Sequence, residues 1–214
     1  MEFAVDIKLT FVNQSNNTKN AQYVIFQKNI ARGADHRIVA WHVIKECGKG
    51  DTREFTLPTA VSVGASREMQ REPLRMMAQL APIDAEMGAL YGVSIDTNEP
   101  EPVRKIGYAS SIDEIQIRND SRELTLSGDI LKNGQRLITA QLKPGETAGF
   151  QVGPTLWIGV SRTAVQGWEI SATELSDLTE IPLLGIRSAD IVATGGGPDD
   201  AGIPVQFGLA DVVR

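Results

Sequence analysis

The sequence predicts an all-β fold, specifically an antiparallel β-sandwich built from two sheets. Apolar and polar residues alternate from the first segment onward, which places apolar side chains on one face of a strand. The first such face holds Phe3, Val5, Ile7, Leu9 and Phe11. Turn-forming residues recur roughly every 8–12 residues, a spacing typical of short strands. No segment carries the sustained helical periodicity of a long amphipathic helix.

Length and composition fit one all-β domain over residues 1–214. The chain is 42% hydrophobic and 22% charged, which is ordinary for a globular domain with a sizeable core. The net charge of −6 argues against nucleic-acid binding, because that needs a basic surface. No stretch approaches the roughly 20 apolar residues of a membrane-spanning helix, so we expect no membrane span.

Cysteine usage and the N-terminus point to a cytoplasmic location. Cys47 is the single cysteine, so no internal disulfide can form and the fold needs no oxidising compartment. The first residues have neither the basic segment nor the apolar stretch of a secretory signal. Release by a route that needs no signal stays open.

Strands in the first half are separated by clusters of turn formers. The alternation predicts strands over residues 2–12, 22–28, 37–44, 53–57, 60–63 and 89–95. The segment 22–28 is apolar on both faces at its centre, as expected for a strand buried on both sides. Residues 66–80 are ambiguous between strand and one short helix, because short apolar runs fit both.

The second half contains clearer hairpins. Strands are predicted over residues 113–118, 123–127, 128–132, 135–141, 148–152, 155–160, 165–170, 183–186, 189–194 and 205–209. The Asn133-Gly134 pair between two of them predicts a type I′ turn, which needs positive φ at both residues. No internal repeat at a fixed period is evident, so a solenoid or a propeller is not expected.

One hairpin resembles a known architecture. The segment 137–150, LITAQLKPGETAGF, resembles the hairpin of immunoglobulin-like sandwiches, in which an apolar strand precedes a Pro-Gly turn and an aromatic core residue. The resemblance implies an immunoglobulin-like sandwich, with a jelly-roll-like arrangement as the alternative. It implies no function.

Two tryptophans and two aspartates are the candidate binding residues. Trp157 and Trp168 flank a short turn and would contact a sugar or a protein partner if exposed, whereas core packing is the alternative. Asp199 and Asp200 follow three glycines and are candidate calcium ligands. Phosphate binding at this loop is disfavoured, because two carboxylates repel phosphate and no helix follows.

Catalytic sets are weak in this sequence. Cys47 with His36 or His42 as base would make a cysteine hydrolase, but the residues lie in no nucleophile motif. One cysteine and two histidines are too few for a structural zinc site. The adjacent Asp113 and Glu114 face opposite sides of a strand and do not form the carboxylate pair of a glycosidase.

The expected function is therefore that of a non-catalytic structural or interaction protein, without a cofactor. It would act as a homo-oligomer or bind another macromolecule, since many short strands offer edges for pairing. The first alternative is a lectin-like carbohydrate-binding module, with Ca²⁺ as an optional component. The second alternative is the cysteine hydrolase.

Overall fold

The computed structural model describes residues 6–17, 21–33, 37–71, 74–95, 100–197 and 203–214. Its regular structure is almost entirely β, with one 3₁₀ turn at Ala172–Glu174. The strands are β1 (Ile7–Asn13), β2 (Gln22–Phe26), β3 (Ile38–Val39), β4 (His42–Ile44), β5 (Thr52–Leu57), β6 (Ser62–Arg71), β7 (Leu74–Gln79), β8 (Ile83–Asp84), β9 (Ala89–Ile95), β10 (Pro100–Tyr108), β11 (Ile115–Asn119), β12 (Leu126–Lys132), β13 (Gln135–Leu142), β14 (Thr147–Phe150), β15 (Thr155–Ser161), β16 (Glu169–Ile170), β17 (Ser176–Pro182), β18 (Ser188–Gly195) and β19 (Val205–Val213). Across these described ranges, no helix is long and apolar enough to cross a membrane.

The predicted all-β class is confirmed. Within the described part of the chain the strands form five sheets, and most strand pairs are antiparallel. Two pairs are parallel, β1 with β18 and β11 with β9. The more specific two-sheet sandwich is not confirmed by this arrangement.

The optional helix at residues 66–80 is wrong. These residues belong to β6 and β7, which pair in antiparallel register with Ser66 opposite Gln79. On its other side β6 pairs with β12, where Ser66 lies opposite Ser127. Two neighbouring strands thus satisfy the backbone of β6, and such tertiary pairing overrides the local ambiguity of a short apolar segment.

The chain folds into two compact units. The first unit comprises Met1–Lys28, Ile38–Thr59 and Pro154–Arg214, and the second comprises Asn29–Arg37 and Ala60–Gly153. The expectation of a single domain over residues 1–214 stays a prediction. Each unit has a buried core of its own, which includes Phe11, Tyr23 and Phe26 in the first and Tyr91 and Phe150 in the second.

The two units share one arrangement of strands. In the first unit a sheet of order β19-β18-β1-β5 has a parallel central pair with an antiparallel strand on each side. In the second unit the sheet β10-β9-β11-β14 repeats this pattern. Each unit also has an antiparallel sheet, β17-β15-β2-β4 in the first and β7-β6-β12-β13 in the second.

Strand register is conserved between the units. Val160 lies opposite Tyr23 in the first unit, as Ala65 lies opposite Gly128 in the second. The preceding residue is a glycine in both units, and the following residues are Ser-Arg in both, at Ser161-Arg162 and Ser66-Arg67. The two units are therefore copies of one fold.

A buried asparagine is repeated as well. Asn13 and Asn119 have no exposed surface. Their side-chain amides donate to the backbone carbonyls of Cys47 at 2.7 Å and Leu142 at 2.9 Å. In both, Oδ1 accepts the N–H of the serine two residues on, at 2.9 Å. Each asparagine thus satisfies backbone groups that burial would otherwise leave unpaired.

The copies are assembled by exchange of strands between the two halves of the chain. The first unit combines β1, β2, β4 and β5 with β15, β17, β18 and β19. In the second unit the corresponding strands come in the reverse order along the chain. The counterparts of β15, β17, β18 and β19 come first, as β6, β7, β9 and β10, and the counterparts of β1, β2, β4 and β5 follow, as β11 to β14. Each half of the sequence therefore supplies four long strands to each unit.

Candidate functional site

Trp157 is partly buried against the apolar cluster of the first unit. The buried members of this cluster are Val24, Phe26, Ala40, Val43, Ala164 and Ile170. The ammonium nitrogen of Lys28 lies 3.1 Å from the centre of the Trp157 ring. Desolvation lowers the pKa of Lys28, opposed by the nearby Glu180. A sugar stacking on this side of the ring would have to displace Lys28, which weakens the lectin hypothesis at Trp157.

Trp168 ends a turn and does not lie in a strand. The predicted strand 165–170 is confined to Glu169–Ile170. The N–H of Trp168 donates to the carbonyl of Val165 at 3.1 Å, and its carbonyl accepts from Ala40 at 3.0 Å. Both the N–H and the carbonyl of Trp168 are thus hydrogen-bonded. A ligand-binding role for this partly buried residue stays a prediction. Asp199, Asp200 and His36 lie outside the described residues.

Cys47 has the environment of a structural thiol. Its side chain is 1% exposed, and burial raises its pKa above the ordinary value. A raised pKa keeps the thiol protonated, whereas nucleophilic cysteines need a lowered one. These observations weigh against the cysteine hydrolase. Among the described residues, no group of three or more His, Cys, Asp or Glu side chains is placed to hold a metal ion.

His42 lies in an aromatic environment. Its ring stacks on Phe55 with centroids 5.0 Å apart and lies 5.9 Å from the ring of Trp41. Burial lowers the pKa of His42, because desolvation disfavours the charged imidazole. The neutral ring therefore acts here as an aromatic packing group.

Replacing His42 by isoleucine, the residue at the equivalent position 138, is expected to reduce the loss of stability in acid. His42 binds a proton more readily in the unfolded chain than in the folded chain. The contribution of neutral His42 to folding stability is therefore full above a pH of about 6.5 and falls as the pH drops below it. Urea unfolding at about pH 7.5 and about pH 5.5 measures the change in midpoint. If the urea midpoint of His42→Ile changes between these two pH values as much as that of the parent protein, this role of His42 is contradicted.

A polar cleft opens on the first unit. Its volume is about 620 Å³, within the range of small-molecule sites. It lies between the end of β15, the 3₁₀ turn, the start of β17 and the described residues Gly197, Ile203 and Pro204. The lining residues are Asn17, Val160, Ser161, Arg162, Thr163, Thr173, Glu174, Leu175, Ser176, Asp177, Gly197, Ile203 and Pro204.

Hydrogen bonds position the polar groups of the cleft. The hydroxyl of Thr163 donates to Glu174 Oε1 at 3.1 Å, and Glu174 Oε2 accepts the N–H of Ser171 at 3.0 Å. The hydroxyl of Ser176 donates to Asp177 Oδ2 at 3.2 Å. Asp177 has a φ of 53°, a left-handed conformation that few residues other than glycine adopt. Side chains held in this way form a preorganised polar surface.

The second unit has an exposed apolar cluster, which we call the tip surface. It consists of Met87, Tyr108 and Ile112, which are 56%, 85% and 83% exposed. Their backbones lie close to Gly88, which follows Met87 and whose carbonyl accepts the N–H of Ala109, the residue after Tyr108, at 2.8 Å. A side chain at position 88 would begin 3.4 Å from the Cα of Ile112, so the residues are close neighbours.

The backbone of the tip surface is held by turns. The N–H of Gly88 donates to Glu114 at 2.8 Å, and the N–H of Asp113 donates to the Ser111 hydroxyl at 3.3 Å. At its edge, Lys105 forms an ion pair with Glu86 at 2.6 Å. The same ammonium nitrogen lies 5.6 Å from the centre of the Tyr108 ring.

A network of buried polar groups distinguishes the second unit from the first. The Asp129 carboxylate accepts from the hydroxyls of Ser66 at 2.5 Å and Thr139 at 2.7 Å. The guanidinium of Arg136 lies 3.8 Å from the same carboxylate. All four residues are at most 5% exposed. Buried charges at this depth require such partners, which makes the network a structural element of the core.

Comparisons with protein families, curated proteins and solved structures find no significant match. The geometry itself thus carries the functional argument. Neither the cleft nor the tip surface was among the sites predicted from sequence. The signal for the tip surface was weak, since Met87, Tyr108 and Ile112 are separate apolar residues among turn formers.

Proposed function

We propose that this chain is a non-catalytic interaction protein whose tip surface binds a protein partner. The observation that carries the proposal is that three large apolar side chains, each more than half exposed, extend from backbone positions around Gly88. Exposed apolar groups gathered in one region mark interaction sites. Tyrosine and methionine are also among the residue types enriched in protein interfaces.

The charges around the tip surface define the partner that it fits. Glu86 and Asp113 are acidic, and the basic Lys105 is paired with Glu86. The rim is therefore weakly acidic and favours a partner with an apolar centre and a basic rim. A second copy would bring together two chains of net charge −6, which disfavours self-association. The acidic rim also disfavours nucleic acid and anionic lipid.

A photo-crosslinking amino acid at position 108 tests the proposal. We expect it to capture a protein that the same group at position 143 does not capture, although the Lys143 side chain is 77% exposed in the same unit. The captured protein is then purified and its affinity measured. Ile112→Asp is expected to weaken binding at least about tenfold, because it places a charge in the apolar contact.

The controls decide between the possible partners. Lys143→Ala is expected to change the affinity by less than about twofold, since a solvated rim charge far from the contact contributes little. Equal capture at both positions, or full affinity of Ile112→Asp, would contradict the proposal. If two copies of this chain are crosslinked to each other, the tip surface mediates self-association, and the proposed partner with a basic rim is wrong.

A further inference from the structure

The segment that builds the polar cleft has a different form from its counterpart in the second unit. In the second unit, β6 and β7 continue as a paired hairpin from Ser66 and Gln79 outward. In the first unit, the pairing of β15 with β17 ends at Val160 and Ser176, and residues 162–175 contain turns, β16 and the 3₁₀ turn. The shared scaffold therefore does not require the form that this segment takes in the first unit.

One side of this segment packs against the core of the first unit. Ala164 and Ile170 are buried members of the apolar cluster of the first unit, and Leu175 packs against it. Its polar groups instead line the cleft, where Arg162, Thr163 and Glu174 are exposed. The segment thus has a structural side and a second side of hydroxyl, carboxylate and guanidinium groups, for which packing gives no reason.

We propose that the cleft of the first unit is a binding site for a neutral saccharide. Serine and threonine hydroxyls with two carboxylates and one guanidinium match the mixed donors and acceptors of sugar hydroxyls. Apolar walls at Val160, Leu175 and Pro204 suit the C–H faces of a sugar ring. Glu174 and Asp177 outnumber Arg162 in charge, which disfavours phosphate or another anion. The volume of about 620 Å³ accommodates one or two sugar rings.

The test uses the full-length protein and a panel of neutral mono- and disaccharides of glucose, galactose, mannose and N-acetylglucosamine. Saturation-transfer NMR identifies binders, and calorimetry gives their affinities. Asp177→Asn and Thr163→Val are each expected to weaken binding about tenfold, the effect of one hydrogen bond to a charged or polar group. Asparagine tolerates the left-handed backbone at position 177, so this variant should fold.

Matched controls carry the same substitutions in the second unit, at the exposed residues Asp84 and Thr147. Asp84→Asn and Thr147→Val are expected to keep the affinity within about twofold, because they leave the cleft intact. The absence of any binder in the panel, or equal affinities of the cleft variants and their controls, would overturn the site. Loss of binding on addition of EDTA would also overturn it, because the proposed contacts are direct. The tip surface lies in the other unit, so either proposal can fail without the other.

Discussion

Replacement of Asp129 by alanine is expected to lower the free energy of unfolding by about 3–5 kcal/mol. The substitution removes the acceptor of two buried hydroxyls and a carboxylate that lies 3.8 Å from the guanidinium of the buried Arg136. Breaking a buried pair on one side is costly because the remaining charge stays desolvated. Urea unfolding followed by circular dichroism measures the change.

The first unit indicates how the loss can be reversed. At the register positions of Asp129 and Thr139 it carries Val24 and Val43, which face each other in an apolar cluster. The double variant Asp129→Val/Arg136→Met removes both charges at similar volume. We expect it to lose less than about 2 kcal/mol, since apolar replacement of a whole buried pair is often neutral.

Two controls accompany this prediction. Asp84→Ala removes an exposed carboxylate of the same unit and should change stability by less than about 0.5 kcal/mol. Asp129→Asn keeps the volume and separates the effect of charge from that of a cavity. A stability of Asp129→Ala within 1 kcal/mol of the parent, roughly the worth of one ordinary hydrogen bond, would show that the network is not a structural element.

Cleavage of the chain between β10 and β11 is expected to leave its two fragments firmly associated. A protease site inserted between Ser110 and Ser111 cuts the sequence into halves. Each unit takes strands from both halves, through the pairs β1/β18 and β2/β15 in the first and β9/β11 and β6/β12 in the second. A fifth pair, β3/β16, also joins the halves. Separation would therefore require breaking five strand pairs and opening both cores.

Size-exclusion chromatography under native conditions measures this association. The cut protein should elute at the position of the uncut protein, and the fragments should separate in denaturant. A second cut protein provides a comparison. It has the protease site in the hairpin turn at Asn133-Gly134, which joins the neighbouring strands β12 and β13. Separation of the halves in native buffer would show that each half folds by itself, contrary to the exchange of strands.

The strands themselves were largely predictable because alternation is a local signal. β2 falls within a predicted segment, and β1 and β11 extend one residue beyond theirs. The hairpin at Asn133-Gly134 is confirmed by φ angles of 51° and 70°. The ambiguity at residues 66–80 was resolved by the antiparallel pairing of β6 with β7. The strand over 165–170 was lost to a turn, because the positive φ of 80° at Gly167 ends the extended backbone there.

The candidate sites were much less predictable than the strands. The sequence drew attention to Trp157 and Cys47, whose rare side chains stand out in any composition. Burial gives both residues packing contacts, and Lys28 lies against the ring of Trp157. The tip surface and the cleft consist of common residue types. Whether such residues form a site depends on their exposure and on their neighbours in space, and neither can be read from a local sequence pattern.

The duplicated architecture shows most clearly where local information ends. The recurring motifs Gly64-Ala65-Ser66-Arg67 and Gly159-Val160-Ser161-Arg162 were present in the sequence as a signal of repetition. The sequence by itself determined the all-β class, the turns and most strands, because side-chain alternation and backbone φ preferences act over a few residues. The tertiary structure decided which half pairs with which, since hydrogen bonds between strands distant in sequence fix register and partner.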